Sequence, residues 1–169
     1  MTHTQLIEQV VRLIALLQSV TEEVDLAAAE RLRVNRTDLR CMSVLFLGGP
    51  TTAKNLAAAT RLTPGAFTTA LDRLERAGYA RRVPDEQDRR RVNVELTNKA
   101  LDAIREVWGP VEEEGRQILS RYTDDELTVI LEFLQRSIDL QIRHTTRIRA
   151  ALTALNLSLP RTADGQVDG

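Results

Sequence analysis

The sequence predicts a mostly α-helical fold with one small β-hairpin. Aromatic residues make up 4% of the 169 residues, so the core has to be built from leucine, valine, isoleucine and alanine, a composition that favours helices. Apolar residues recur at spacings of three and four over long stretches, which is the period of an amphipathic helix. Between residues 80 and 96 the period changes to two, and this change indicates a pair of short strands.

The composition disfavours several classes of protein. The longest stretch without a charge, residues 41–53, is 13 residues long, whereas a membrane span needs roughly 20 apolar residues. The N-terminus lacks the order of a secretory signal, so we expect a cytoplasmic protein. One cysteine and two histidines argue against a disulfide scaffold and against a metal site. The sequence contains no phosphate-binding loop or catalytic elbow, so we expect neither an enzyme nor a cofactor.

Three helices are predicted before residue 61. The first spans about residues 4–33, because apolar residues recur there at spacings of four and three: Leu6, Val10, Leu13, Leu17, Val20 and Val24. Its apolar stripe is wider than one small domain needs. The second is expected to begin after an N-cap at Thr37 and to end at Gly48-Gly49-Pro50. The third covers residues 53–60 and follows Thr52.

The fourth helix has the clearest local signals. Thr63 suits an N-cap, Pro64 suits the first helical position, where its missing N–H costs nothing, and Gly78 closes the helix. Four apolar residues at helical spacing are predicted to form its buried face: Phe67, Ala70, Leu71 and Leu74. The opposite face carries small, hydrogen-bonding and cationic groups that fit a groove: Gly65, Thr68, Thr69, Asp72, Arg73 and Arg76.

Two long helices are predicted in the last third of the chain. The first covers about residues 98–121, and we expect it to kink at Gly109-Pro110, because proline removes a helix hydrogen bond. The second begins with the spacing of a capping box, Thr123 and Glu126, and continues to about residue 155.

Charge is distributed unevenly along the chain, although the net charge is −1. Residues 49–91 hold nine basic and five acidic side chains, a balance of +4 between acidic ends. A basic segment is the footprint of a polyanionic partner, although a patch of this size also arises by chance. Strands at residues 80–83 and 91–96 would project an arginine-rich connection. A helix fits the major groove and a hairpin arginine reaches the minor groove, so this stretch predicts a winged helix-turn-helix that binds double-stranded DNA.

Three motifs within residues 51–97 resemble the MarR family of bacterial transcriptional regulators. They are LTPGAFT at the start of the fourth helix, LDRLERAGY at its end, and DEQDRRRVNVELT in the hairpin, or wing. The flanking long helices also follow the family's order, which places a short strand before the third helix. The wing departs from the common family pattern at Glu86 and Gln87. Its cationic contact must therefore pass to Arg89, Arg90 or Arg91, or be weakened.

The resemblance implies a homodimer that binds a pseudo-palindromic promoter site and acts as a repressor. It also implies release by a small-molecule ligand, often a phenolic or other aromatic anion, bound between the dimerisation helices and the winged domain. The sequence assigns no residue to that pocket. The predicted parts are an N-terminal dimerisation helix, the winged helix-turn-helix, C-terminal dimerisation helices and a disordered tail: residues 1–36, 37–97, 98–155 and 156–169.

The fourth helix supplies the residues expected to read DNA. Thr68 and Thr69 lie on its exposed face, where their side chains can contact base edges or phosphates. Arg73 is expected either to contact a phosphate or to pair with Asp72 or Glu75.

Helix starts and wing arginines supply the expected phosphate contacts. Thr52, Thr63 and Pro64 are capping residues, and the helix starts that they form would present backbone N–H groups to phosphate. At least one wing arginine is expected to reach DNA. The complete set of candidate DNA-binding residues is Thr52, Thr63, Pro64, Gly65, Thr68, Thr69, Arg73, Arg89, Arg90 and Arg91.

Two alternatives remain open beside the ligand-released repressor. Cys41 lies within the second helix and is interpreted as a small buried hydrophobic residue, but an oxidation-sensing regulator that uses Cys41 is the alternative. A ligand-independent interaction protein with the same fold is the other. A gel shift with genomic fragments separates such a protein from a DNA-binding regulator.

Overall fold

The structure, a computed structural model, describes residues 1–84 and 91–158, with side chains up to residue 152. Helices and short strands alternate within these ranges as the sequence predicts, and this confirms the mostly α-helical fold with a small sheet. In chain order the elements are α1 (His3–Leu32), α2 (Arg36–Gly48), β1 (Thr51–Thr52), α3 (Ala53–Thr60), α4 (Pro64–Arg76), β2 (Ala80–Pro84), β3 (Val92–Leu96), α5 (Asn98–Leu119) and α6 (Asp124–Ser158).

The start of α2 differs from the prediction. The N-cap is Asn35, whose side chain accepts a hydrogen bond from the Asp38 backbone N–H at 2.9 Å. The Asp38 carboxylate accepts a hydrogen bond from the Asn35 backbone N–H at 3.5 Å. The prediction of a Thr37 cap was wrong, because this reciprocal pair satisfies two backbone donors at once. The helix ends at Gly48, and its C-cap Gly49 has a φ of 73°, a positive value that favours glycine.

The three strands form an antiparallel sheet in the order β1-β3-β2. β2 and β3 pair along their whole lengths, from Ala80 opposite Leu96 to Pro84 opposite Val92. β1 has two residues and pairs with β3 through Thr51 opposite Val94. The family order implied β1, but no residue pattern indicated it, because two residues are too few to show a period.

The core lies where α2, α3, α4 and α5 pack on this sheet. Leu56, Leu74 and Val94 are completely buried. All four apolar residues predicted to line the inner face of α4 are buried, and its polar face points outward. The short helices are thus held by their apolar faces, with the opposite face of α4 left accessible.

The end of α4 depends on glycine. The Gly78 N–H donates to the Glu75 carbonyl at 2.9 Å, and the Tyr79 N–H donates to the Leu74 carbonyl at 2.8 Å. Gly78 follows the C-cap Ala77 and has a φ of 73°, which a residue with a side chain rarely adopts. This tight turn directs the chain from α4 into the first strand of the wing.

The chain divides into two compact units, Met1–Glu112 and Glu113–Gly169. The helix α5 begins in the first unit and continues through Gly109 and Pro110 as one uninterrupted helix. None of the helices within the described ranges is long and apolar enough to cross a membrane.

The start of α6 confirms the predicted capping box. The Thr123 N–H donates to the Glu126 carboxylate at 2.8 Å, and the Glu126 N–H donates to the Thr123 hydroxyl at 3.3 Å. The hydrogen bonds from Thr123 hold the pKa of the Glu126 carboxyl below its ordinary value. The helix continues to Ser158, slightly beyond the predicted end near residue 155.

Candidate nucleic-acid interface

The outer face of α4 offers hydroxyl and methyl groups to a partner. Thr68 and Thr69 are exposed, and each hydroxyl donates to the carbonyl four residues earlier, at 3.0 Å and 2.9 Å respectively. The oxygen lone pairs and the methyl groups remain available. Gly65 lies one turn before Thr69, and the space where its side chain would begin is open. A base edge or a backbone phosphate can therefore approach this face closely.

The helices α3 and α4 both begin with the predicted threonine N-caps. The Thr63 hydroxyl accepts a hydrogen bond from the Ala66 N–H at 3.3 Å, with Pro64 at the first position of α4. The Thr52 hydroxyl accepts one from the Asn55 N–H at 3.2 Å. The remaining backbone N–H groups of such first turns favour anions.

Arg73 has a partner that the sequence did not indicate. Its Nε and Nη2 donate to the two carboxylate oxygens of Asp38, at 3.0 Å and 2.6 Å. The predicted pairing with Asp72 or Glu75 was wrong, because both of those carboxylates bind Arg82 instead. The hydrogen bond to Asp38 raises the pKa of the Arg73 guanidinium, which stays charged. Arg73 therefore ties α4 to α2.

Arginines also fix the base of the wing. Arg82 bridges Asp72 and Glu75 of α4, at 3.3 Å and 2.5 Å, and so joins β2 to α4. Arg81 pairs with Glu95 across the hairpin at 2.6 Å. These exposed pairs contribute little stability each, but they orient the wing relative to α4.

Of the three wing arginines predicted to contact DNA, the structure describes Arg91. Arg89 and Arg90 lie outside the described residues. Arg91 is exposed directly before β3 and lines an open groove of about 460 Å³ with Thr52, Lys54, Asn55 and their neighbours. Lys54 was not among the predicted residues, although its place as the second residue of a helix with a threonine cap is a usable signal.

Cys41 is a core residue, as predicted. Its side chain is 1% exposed. Burial in apolar surroundings, reinforced by the charge of Asp38, raises the pKa of the thiol from 9.0 to about 11. The thiolate is the form that reacts with oxidants, and a buried thiol with a raised pKa does not supply it at neutral pH. This environment argues against the oxidation-sensing alternative.

Replacing Cys41 with serine is expected to destabilise the protein by about 1 kcal/mol, because a hydroxyl is buried in place of an apolar sulfur. Urea unfolding of both proteins measures the difference. The contribution of the parent thiol should be complete below pH 9.0 and decline as the pH rises towards about 11, since the unfolded chain then ionises first. Release of DNA by peroxide from the parent, but not from the variant, would overturn this interpretation.

A cavity of about 260 Å³ lies between α1, α2 and α5 in the first unit. Asp25 and Ser43 contribute the polar part of its lining. Six apolar side chains form the rest: Leu39, Met42, Phe46, Leu47, Ile104 and Trp108. Leu39 and Met42 also belong to the buried core, so the cavity and the core share α2. The sequence motifs did not indicate this cavity, because its residues come from three helices that are distant in sequence.

Comparisons with known proteins agree with this geometry. The MarR family profile matches residues 34–92, from the connection between α1 and α2 to the first residue of β3. The chain is 34% identical over 123 residues to the uncharacterized HTH-type transcriptional regulator YcgE of Bacillus subtilis, and the match covers 73% of this chain and 80% of YcgE.

Solved structures show the same fold. YusO of Bacillus subtilis is 25% identical, with a TM-score of 0.51 over 89% of this chain and 99% of that chain. NadR, solved in complex with 4-hydroxyphenylacetate, has a TM-score of 0.54 at 21% identity, over 75% of this chain and 89% of that chain. The family profile and the YcgE match together make the chain a member of the MarR family: a DNA-binding transcriptional regulator with a winged helix-turn-helix fold, and not an enzyme.

Proposed function

We propose that this chain is a repressor, that it binds a pseudo-palindromic promoter site as a homodimer, and that a small aromatic ligand releases it. The observation that carries the proposal is the exposure of long apolar stripes on both terminal helices of a chain that belongs to a DNA-binding family. A second copy would cover these stripes and would duplicate the DNA-binding face of α4.

The apolar stripes support the dimer. On α1, the side chains are 44–66% exposed at the following positions: Leu6, Ile7, Val10, Val11, Leu13, Leu16, Leu17, Val20, Val24 and Leu26. On α6, a comparable set is 43–66% exposed: Val129, Leu131, Phe133, Leu134, Ile138, Leu140, Ile142, Ile148 and Leu152. Monomeric proteins rarely expose contiguous apolar patches of more than a few hundred Å². A two-fold pairing that buries both stripes would place the α4 helices in successive major grooves, about 34 Å apart.

The cavity supports release by a ligand. Two lining residues are close to Asp38 on α2: Leu39 follows it directly, and Met42 lies one turn further along the helix. Asp38 in turn binds Arg73 of α4. A ligand that displaces α2 would therefore also displace the recognition helix. Mainly apolar lining with a few polar groups is typical of small-molecule sites. NadR, whose fold this chain shares, binds an aromatic ligand, 4-hydroxyphenylacetate.

The repressor function can be tested directly. Genomic fragments that the purified chain retains in a gel shift should contain a pseudo-palindrome, and transcription from the promoters beside them should fall when the chain is added. Activation of these promoters would contradict the proposed direction of control. Binding that never discriminates between fragments would favour the interaction protein over the regulator.

Thr69 is expected to contribute base preference rather than general affinity. Thr69→Ala should change the preference at particular base pairs by roughly 1–3 kcal/mol, because the hydroxyl and methyl groups that contact a base edge are lost. Thr69→Ser keeps the hydroxyl and Thr69→Val keeps the methyl, so the pair identifies which group matters. Binding to a set of operators with single base-pair changes measures the preference. An equal loss on every sequence would indicate a phosphate contact instead.

A further inference from the structure

We infer that the cavity between α1, α2 and α5 selects aromatic cations and disfavours the aromatic anions that the family resemblance suggests. The inference rests on the proposed function, since it names the charge class of the effector. It comes from the charges and hydrogen-bonding groups of the lining residues.

Asp25 contributes the charge of the cavity. Among the residues that the structure describes, no lysine, arginine or histidine lines it. The Asp25 side chain is half-buried, and within residues 1–84 and 91–158 it makes neither an ion pair nor a side-chain hydrogen bond. A carboxylate beside apolar side chains attracts a positive charge more strongly than one in bulk water does. A positively charged ligand group would supply the missing partner.

Ser43, the second polar residue of the lining, also favours a hydrogen-bond donor on the ligand. The Ser43 hydroxyl donates its proton to the Leu39 carbonyl at 3.0 Å, so its oxygen presents acceptor lone pairs. The indole N–H of Trp108 is a donor, but it is neutral. An ammonium or amidinium group would therefore find two acceptors, one of them charged. A ligand carboxylate would lie near a like charge, and none of the described lining residues is a cation that would offset the repulsion.

The apolar lining specifies the rest of the ligand. Phe46 and Trp108 contribute aromatic rings, and a cation within about 6 Å of a ring centroid is attracted to its face. The volume of about 260 Å³ is near the lower end of the roughly 300–1,000 Å³ that small-molecule sites occupy. The occupant is accordingly an amine or amidine that carries one or two rings.

The chain contains one tryptophan, so quenching of its fluorescence reports on the cavity that Trp108 lines. The probes are tyramine, 4-hydroxyphenylacetamide and 4-hydroxyphenylacetate, which share one ring and differ in charge. With the full chain, tyramine should bind most tightly and the acetate most weakly. Asp25→Asn should lower the affinity for tyramine about tenfold and remove the preference. Glu23→Gln removes the same charge from an exposed position of α1 and should leave the preference unchanged.

The outcomes separate this inference from the proposed function. Tighter binding of the acetate, a preference that survives Asp25→Asn, or the absence of saturable quenching by tyramine would overturn the inference. If Asp25→Asn weakened dimerisation and left quenching unchanged, the partner of Asp25 would be a cation of a second copy, and the inference would again fail. Release of DNA is measured separately. Asp25-dependent binding of tyramine without DNA release would contradict the effector role and leave the selectivity standing.

Discussion

Replacing Leu134 and Ile138 of α6 with glutamate is expected to produce a monomer that loses specific DNA binding. The two side chains are 50% and 59% exposed and lie one turn apart on the same face of the helix. Glutamates there would have to be buried in the proposed dimer, which is strongly unfavourable. Because specific affinity then rests on one half-site, we expect a loss on the order of 10³-fold. Sedimentation velocity and operator titration measure the two effects.

A matched control lies on the opposite side of α6. Arg136→Glu changes the net charge as much as the two glutamates do, and its position is about 180° around the helix from the Leu134–Ile138 face. Its ion pair with Glu132 is exposed and contributes little stability. This variant should remain a dimer and bind its site. A chain that ends at Arg121 should behave like the double glutamate variant. A parent protein that is monomeric and still binds its site tightly would contradict the proposed dimer.

Replacing Arg73 with methionine is expected to lower the free energy of unfolding by about 3 kcal/mol, since it leaves a buried carboxylate without its partner. The Asp38 side chain is 4% exposed, but that of Arg73 is 35% exposed. The loss of stability is therefore at the lower end of what breaking a buried ion pair usually costs. Arg73→Lys keeps the charge but cannot form both hydrogen bonds, and it should lie between the parent and the methionine variant. Guanidinium unfolding measures all three proteins.

Two further variants identify the cause. Arg76→Met removes the next arginine of α4, whose Nε contacts the backbone of its own helix, and should cost less than 1 kcal/mol. Asp38→Leu combined with Arg73→Met replaces the pair by apolar groups and should recover much of the stability. If Arg73 acts by positioning α4, the salt dependence of DNA binding by the double variant should match that of the parent. A shallower slope would mean that Arg73 contacts phosphate.

Local sequence determined the elements that carry the DNA-binding motif. The Thr63 cap, Pro64 and the apolar spacing of α4 each specify the conformation within one or two helical turns, so they could be interpreted without knowledge of the rest of the chain. The same holds for the capping box of Thr123 and Glu126. The cap of α2 was misassigned although it is local, because Asn35 and Thr37 are both acceptable caps. The reciprocal bond from Asp38 decides between them.

Tertiary structure decided which side chains meet. Asp38 and Arg73 are separated by 35 positions, and nothing in the periodicity of either helix indicates that their charged ends coincide. β1 acquires its strand conformation by pairing with β3, since two residues have no period of their own. The cavity around Asp25 and Trp108 depends on how three helices pack. Amphipathic patterns specify which face of a helix is buried, whereas the neighbour that covers it is chosen by packing across the whole fold.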